Sequence, residues 1–305
     1  MHVVSRLLLS LVSCAVASAA LAAAGSAPAP AGLTVAQIAA KYEAARGGVQ
    51  AWRSLQTLTM AGKMDAGSGD SIARSRRAAR GATTPSSKQQ QIKTAKAGEK
   101  AAADVQVQLP FRLELKPPHK SRLEIDFAGN TAVQVFNGEE GWKLRPFLNR
   151  NDVEAFTPDE VKSAETGLSE MKGPLFDYAV NGSKAELEGN EPVEGHTAYK
   201  LKITMASGVV RHVWIDSQSF LDVKVEGMPR RMDGRMRNVW VYQRDFRTVQ
   251  GIKMPYIYET AVEGSAQTHK VMVETLAVNR PLDDARFTKP QASLIKAPAA
   301  ANKTN

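Results

Sequence analysis

The residue types that most often carry chemistry are present, but their spacing does not assemble a reactive site. None of the five histidines stands four residues from another, as the helical zinc motif requires. Ser169 and Ser219 lack the Gly-x-Ser-x-Gly frame of a hydrolase nucleophile, and Gly67-Ser68-Gly69 does not stand between a strand and a helix. We therefore predict that the chain is not an enzyme and has no metal, no cofactor and no catalytic residues.

Two weaker patterns leave alternatives open. The carboxylate pair Glu124 and Asp126 could do acid–base work, but on the wet face of a sheet such residues more commonly give solubility and cross-strand pairing. Three tryptophans that fall on predicted strands could form a stacking platform for sugars or bases, or could simply pack; these are Trp142, Trp214 and Trp240.

The first residues have the pattern of an export signal. Arg6 precedes an apolar stretch at residues 7–21, and Ala22-Ala23-Ala24 offers small residues for a signal peptidase. We expect residues 1–24 to be a signal peptide, residues 25–33 to be a linker, and the protein to reach the periplasm. In a second interpretation residues 11–14 form a lipobox, and the mature protein is a membrane-anchored lipoprotein attached through Cys14, the only cysteine.

The formal charge of +9 would favour a nucleic-acid or membrane partner if it were spread over the fold. It is concentrated instead: residues 66–104 hold eight Lys/Arg against three Asp/Glu, and three lysines follow Phe287. The first of these segments contains no aromatic residue, so we expect a disordered basic insertion over residues 65–104 and a disordered tail over residues 291–305. The core that remains is close to neutral, and we predict no specific nucleic acid partner.

The rest of the chain, residues 34–290, reads as one mainly β domain. Thr34 opens a first helix, which Gly47-Gly48 ends, and many strands of period two joined by turn dipeptides then predict an antiparallel meander. A single amphipathic helix interrupts the strands between Thr157 and Met171, and its apolar stripe must lie against the sheet.

Alternation along the strands leaves one face of this sheet apolar, and that face has two possible states. The two helices fill it as an ordinary core, or they leave a cavity into which each buried methylene of a hydrocarbon chain would contribute about 0.8 kcal/mol. If a cavity exists, the predicted pocket residues are Leu123, Ile125, Phe127, Val133, Val135, Trp142, Val161, Leu168, Met171, Leu201, Ile203 and Val223.

The order of several short motifs resembles the LolA/LolB-like superfamily of envelope proteins, which includes outer-membrane lipoprotein-sorting proteins and RseB-type regulators. The matching pieces span most of the domain and are Arg46-Gly47-Gly48 with Trp52, then residues 136–142, 173–178, 189–195, 213–216 with 220–221, and 279–283 with Phe287 and Pro290.

This resemblance implies a strongly curved antiparallel half-barrel of about 10–11 strands, with an N-terminal helix and an inserted amphipathic helix covering the concave face. It also implies a periplasmic carrier for lipoprotein acyl chains or another lipid, with an inner- or outer-membrane partner protein. An alternative within the same superfamily is an envelope-stress sensor that acts by protein–protein contact.

Overall fold

The computed structural model describes residues 32–65, 107–146, 150–232 and 234–291. The predicted signal peptide, residues 25–31 of the predicted linker, residues 66–104 of the predicted insertion and residues 292–305 of the predicted tail lie outside the described residues. Within them, no helix is long and apolar enough to cross a bilayer.

Four short α-helices form where the sequence supplies caps. They are α1 (Val35–Ala45), α2 (Val49–Arg53), α3 (Pro158–Glu165) and α4 (Gly167–Lys172). Thr34 and Thr157 each build the predicted capping box, with Gln37 and Glu160 respectively. The single helix expected up to Met171 is two helices, because α3 ends at Glu165, and the hydroxyl of the following residue, Thr166, donates to the Ser163 carbonyl.

The strands form one large antiparallel sheet. Its members are β1 (Leu58–Asp65), β2 (Gln108–Lys116), β3 (Lys120–Phe127), β4 (Asn130–Phe136), β5 (Gly141–Arg145), β6 (Arg150–Ala155), β7 (Lys184–Val193), β8 (His196–Thr204), β9 (Val210–Asp216), β10 (Asp222–Glu226), β13 (Val239–Val249), β14 (Ile252–Val262) and β15 (Thr268–Val278). A separate two-stranded ribbon is made by β11 (Arg230–Met232) and β12 (Arg235–Arg237).

The sheet is open, and its order is β6-β5-β4-β3-β2-β1-β15-β14-β13-β10-β9-β8-β7. Strands β6 and β7 are therefore its two edges, and β1 pairs with β15 in the middle. This confirms the predicted fold class, a mainly β antiparallel half-barrel with few helices. The described residues contain 13 strands in this sheet, more than the 10–11 expected, and β6 is one that the sequence did not predict, because its polar residues give no apolar alternation.

Each face of the sheet has its own cover. One face carries the helices: Glu160 of α3 contacts Lys143, and Glu170 of α4 contacts Arg211. The opposite face of β4 and β5 is covered by the segment after β15, where Phe287 packs on Val133, Val135 and Leu144. Both faces of these strands are therefore buried, which removes the simple apolar-in and polar-out pattern.

Candidate functional site

A groove of about 370 Å³ lies between the sheet and the helices α3 and α4. Its apolar lining comes from β2 and β3 below, and from Phe156, Ala164 and Met171 on the helical side. The exposed residues Gln134, Asp159 and Ser163 also line it. The volume falls at the lower end of the range for small-ligand sites. The sheet residues that form the apolar lining are Leu113, Leu115 and Leu123.

Helix α3 is fixed to the sheet by one ion pair. The Lys143 ammonium donates to both oxygens of Glu160 at 2.6 Å, and Glu160 also accepts from the Thr157 backbone as part of the capping box. The hydrogen bond from Lys143 lowers the pKa of Glu160, although burial acts in the other direction. At neutral pH the carboxylate is therefore charged and holds the first turn of α3 over β5.

A close approach of the chain also positions the entry to α3. A Cβ atom at Gly141 would lie 2.0 Å from the ring of Phe156, so only glycine lets this aromatic ring lie against β5. Phe156 is itself one of the residues that line the groove. The loop before α3 thus contributes part of the groove wall.

Helix α4 is fixed at two points along its length. Arg211 of β9 donates to both carboxylate oxygens of Glu170 at 2.6 and 2.7 Å, and it also donates to the Glu226 carbonyl of β10. At the end of the helix the backbone carbonyls of Met171 and Lys172 accept hydrogen bonds from α1, as described next.

Tyr42, Arg46 and Asp222 form a buried polar cluster that ties α1, α4 and the sheet together; we call it the latch. Arg46 Nη2 donates to the Met171 carbonyl at 2.7 Å, and Tyr42 Oη donates to the Lys172 carbonyl at 2.5 Å. Arg46 Nη1 lies 2.7 Å from Asp222 Oδ1, and the two side chains are 0% and 1% exposed. The two contacts with the Met171 and Lys172 carbonyls use acceptors at the end of α4, where no further helical turn follows.

The latch buries charged and polar groups, so its stability depends on a partner for each of them. Burial raises the pKa of the Asp222 carboxyl even though Arg46 and Tyr42 stabilise its charged form. Burial likewise raises the pKa of Tyr42 well above its usual value. A buried ion pair of this kind gives little net stability when intact, but a lone buried charge is strongly destabilising. The latch therefore specifies the position of α4 more than it strengthens the fold.

Gly173 is the residue that lets α4 end against the latch. Its φ is +85°, and a Cβ atom there would lie 2.3 Å from Tyr42 Oη and 2.9 Å from Asp222 Oδ2. Both the backbone conformation and the lack of space require glycine. Gly173, the first residue of the motif at residues 173–178, thus packs directly against the latch.

The structure brings together only part of the predicted pocket. Leu123 and Met171 line the groove, and Ile125 and Phe127 alternate with Leu123 along β3 on the same face. Val161 lies half-buried on α3. Leu168 belongs to α4, but its side chain is outside what the structure describes.

The other predicted pocket residues lie elsewhere. Leu201 and Ile203 are fully buried in β8, away from the groove. The remaining four lie in two clusters away from the groove: Val133, Val135 and Trp142 pack with Phe287, and Val223 packs with Trp214. For Val133, Val135 and Trp142, alternation could not show which face carries the helices, because the segment after β15 covers the other face of their strands.

Sequence reasoning missed the groove residues Leu113, Leu115 and Phe156, and it missed the latch. The signals were present: Arg46 lies inside the Arg-Gly-Gly motif, and Tyr42 lies four residues earlier in the helix that Thr34 opens. A charged residue on the apolar side of a predicted helix is the kind of local conflict that indicates a buried polar contact.

The tryptophans on the strands pack within the protein. Trp142 belongs to the cluster around Phe287, and Trp214 is 5% exposed, with its indole N–H donated to Glu191 at 2.8 Å. Lys224 lies over the Trp214 ring, 4.1 Å from its centroid. These contacts favour the packing interpretation over a stacking platform.

The fold and the groove together define a class of protein: an open antiparallel half-barrel whose helices enclose an apolar groove. No family model matches the chain, and no curated protein matches it in sequence. Among solved structures, a LolA superfamily protein from Nitrosomonas europaea is similar to this chain at 14% identity and a TM-score of 0.48, over 85% of this chain and 99% of that one.

Two further solved structures are similar to a comparable degree. An outer membrane lipoprotein-sorting protein domain from Vibrio parahaemolyticus has 14% identity and a TM-score of 0.49, over 85% of this chain and 97% of that one. A DUF1329 family protein from Desulfovibrio piger has 13% identity and a TM-score of 0.48, over 85% and 99%. These three structures are similar to the chain in overall fold, and the similarity concerns the fold alone.

Proposed function

We propose that this protein is a periplasmic binding or carrier protein for a lipid, such as the acyl chain of a lipoprotein, and that it performs no catalysis. The observation that carries the proposal is the groove of about 370 Å³ under α3 and α4, whose sheet side is lined by leucines. An apolar groove binds a hydrocarbon chain through burial alone, at about 0.8 kcal/mol for each methylene.

The way the helices are held supports reversible access to the groove. The buried latch holds the end of α4, whereas α3 and the rest of α4 are attached by ion pairs whose carboxylates are partly exposed, Lys143 with Glu160 and Arg211 with Glu170. Polar contacts of this type exchange with water more easily than an interdigitated apolar core does. The α3–α4 segment would therefore act as the gate of the groove.

Export is part of the same proposal. The leader pattern of residues 1–24 directs the chain to the periplasm, and residues 34–290 then form the binding domain. A lipid of the envelope is the apolar ligand that such a compartment offers. The lipidated form attached through Cys14 would place the same groove beside a membrane.

The first experiment asks whether acyl chains copurify with the protein. The purified protein would be extracted with organic solvent and the extract analysed by mass spectrometry, and the delipidated protein would be titrated with an apolar fluorophore. We expect bound fatty acyl species and a saturable fluorescence increase. A protein that yields neither contradicts the proposal.

A pair of variants on one helix locates the binding. Ala164 lines the groove from α3, whereas Lys162 is exposed on the same helix. We expect Ala164→Trp to fill the groove and weaken fluorophore binding at least tenfold, and Lys162→Trp to leave it unchanged. Equal binding by both variants would place the ligand outside the groove.

A further inference from the structure

The hairpin between β10 and β13, residues 227–238, stands apart from the main sheet. Strands β11 and β12 pair only with each other, through Arg230 with Arg237 and Met232 with Arg235. Its base is fixed where the Gly227 amide donates to the Val239 carbonyl at 2.8 Å and the Glu263 amide donates to the Asn238 carbonyl at 2.9 Å. The hairpin is therefore a ribbon with an anchored base and exposed strands.

The hairpin exposes apolar side chains that a folded protein normally hides. Met228 is 67% exposed, Met236 is 57% exposed and Met232 is 39% exposed. Val209 and Val210, at the neighbouring start of β9, are 40% and 45% exposed. The described residues contain only two other exposed large hydrophobic side chains, so most of this exposed apolar surface gathers at one end of the sheet.

The same hairpin carries four arginines and a single acidic residue, Asp233. No ion pair joins these arginines to another described residue, whereas Arg211, Arg244 and Arg247 on neighbouring strands each contact a carboxylate. The hairpin arginines are Arg230, Arg231, Arg235 and Arg237. The ribbon thus combines positive charge with flexible apolar side chains.

The four hairpin arginines have no carboxylate partner among the described residues, so a negatively charged partner is favoured at this end of the molecule.

We infer that the hairpin docks the protein on an anionic lipid bilayer. Methionine side chains enter the boundary between headgroups and acyl chains, while arginines keep their guanidinium groups at the level of the phosphates. Each arginine near an anionic surface strengthens binding about fivefold. Nucleic acid is less well matched, because the hairpin offers no aromatic ring on which a base could stack.

This inference is independent of the lipid-binding groove, which lies under α3 and α4 and not at the hairpin. A protein that docks on membranes would bring any cargo to a bilayer. A protein that binds a hydrocarbon chain but not a membrane, or the reverse, would separate the two proposals experimentally.

The test is co-flotation of the purified protein with vesicles of phosphatidylcholine alone and with vesicles of equal parts phosphatidylcholine and phosphatidylglycerol. We expect binding only to the anionic vesicles, weakened by added salt. The double variant Arg231→Glu and Arg235→Glu should bind at least tenfold more weakly. The double variant Met232→Ser and Met236→Ser should lose at least fivefold while it keeps its charge.

A matched control changes the charge elsewhere by the same amount. Arg280 and Lys289 are exposed and follow the end of β15 that pairs with Leu58, opposite to the end beside the hairpin, so Arg280→Glu with Lys289→Glu should bind nearly as well as the wild type. All variants should keep the wild-type thermal unfolding midpoint. Equal losses in the control and the hairpin variants, or wild-type protein that binds polyglutamate but no vesicle, would overturn the inference.

Discussion

The helix-bearing face of the sheet is closed in two different ways. In the half that contains β8 and β9 the side chains of Leu201, Ile203, Val213 and Ile215 are fully buried. In the half that contains β2 and β3, Leu113 and Leu123 remain partly exposed and line the groove. The same residue types therefore give a solid core in one half and an open site in the other.

The polar contacts explain why the sheet is fully covered near β8 and β9 and why a groove remains over β2 and β3. The latch fastens α1 to α4 and to the sheet at Asp222 and Lys253, next to the filled half. Within the part of the chain that the structure describes, helix α3, above the groove, has one ion pair, between Lys143 and Glu160, and its last residue, Glu165, has its carbonyl 3.0 Å from Nδ1 of His119. Because the α3–α4 segment is fixed to the sheet mainly at its two ends, space remains between the middle of the segment and the sheet. Three predictions test this difference between the halves.

The largest effect is expected at the latch. Asp222→Ala leaves the fully buried Arg46 without its ion-pair partner and should lower the free energy of unfolding by about 3–5 kcal/mol. Urea denaturation measures this change.

The exposed ion pair of Arg53 with Asp177 provides the control, since its side chains are 52% and 21% exposed. Arg53→Ala should lower the free energy of unfolding by about 1 kcal/mol or less. Similar losses in the two variants would show that the latch is not a desolvated pair.

An intermediate effect compares the two halves directly. Leu201→Ala removes a fully buried side chain and should lower the free energy of unfolding by about 2–5 kcal/mol. Leu123→Ala only enlarges a groove that already exists, so its loss should be smaller by at least about 1 kcal/mol. If both variants lose the same stability, the groove is packed in solution and the contrast between the halves fails.

The smallest effect concerns pH. The pKa of Glu160 in the folded protein lies below its usual value of 4.5, so its ion pair contributes stability above that pH and loses it as the pH falls through the lowered pKa. Glu160→Gln should therefore unfold more easily than the wild type at neutral pH, by about 1 kcal/mol or less, and equally easily in strong acid.

The control is Glu165→Gln, an exposed change on the same helix. Its stability relative to the wild type should not depend on pH in this way. Urea denaturation at neutral pH and well below pH 4.5 gives the comparison. A Glu160→Gln deficit that persists in acid would mean that the carboxylate charge is not what holds α3.

Much of the architecture could be predicted from sequence, because local signals determine it. The capping boxes at Thr34 and Thr157 and the turn dipeptides mark the element ends, and alternation marks most strands. Strand β6 was not predicted because its sequence is polar. The break between α3 and α4 was not predicted because the residues on both sides of Thr166 favour helix.

The site was harder to predict, since it depends on contacts between distant segments. Alternation shows that successive residues face opposite sides, but it does not show which side is covered, and for Val133 and Val135 the cover is Phe287, far along the chain. The latch joins Tyr42 and Arg46 to Asp222, roughly 180 residues later, so the local pattern at Arg46 can indicate a buried polar contact but not its partner.

The pairing of β1 with β15 in the middle of the sheet has a consequence for how the chain folds. Strands β1 and β15 are the first and last strands along the chain, and the two halves of the sheet become continuous only when they pair. This pairing closes the longest loop of any strand pair in the sheet, so we expect it to complete the core. Until β15 arrives, β1 and β14 are bare edges able to join other chains. A polypeptide shortened by a few dozen residues at its C-terminal end would keep most of its strands and still expose the centre of its own sheet.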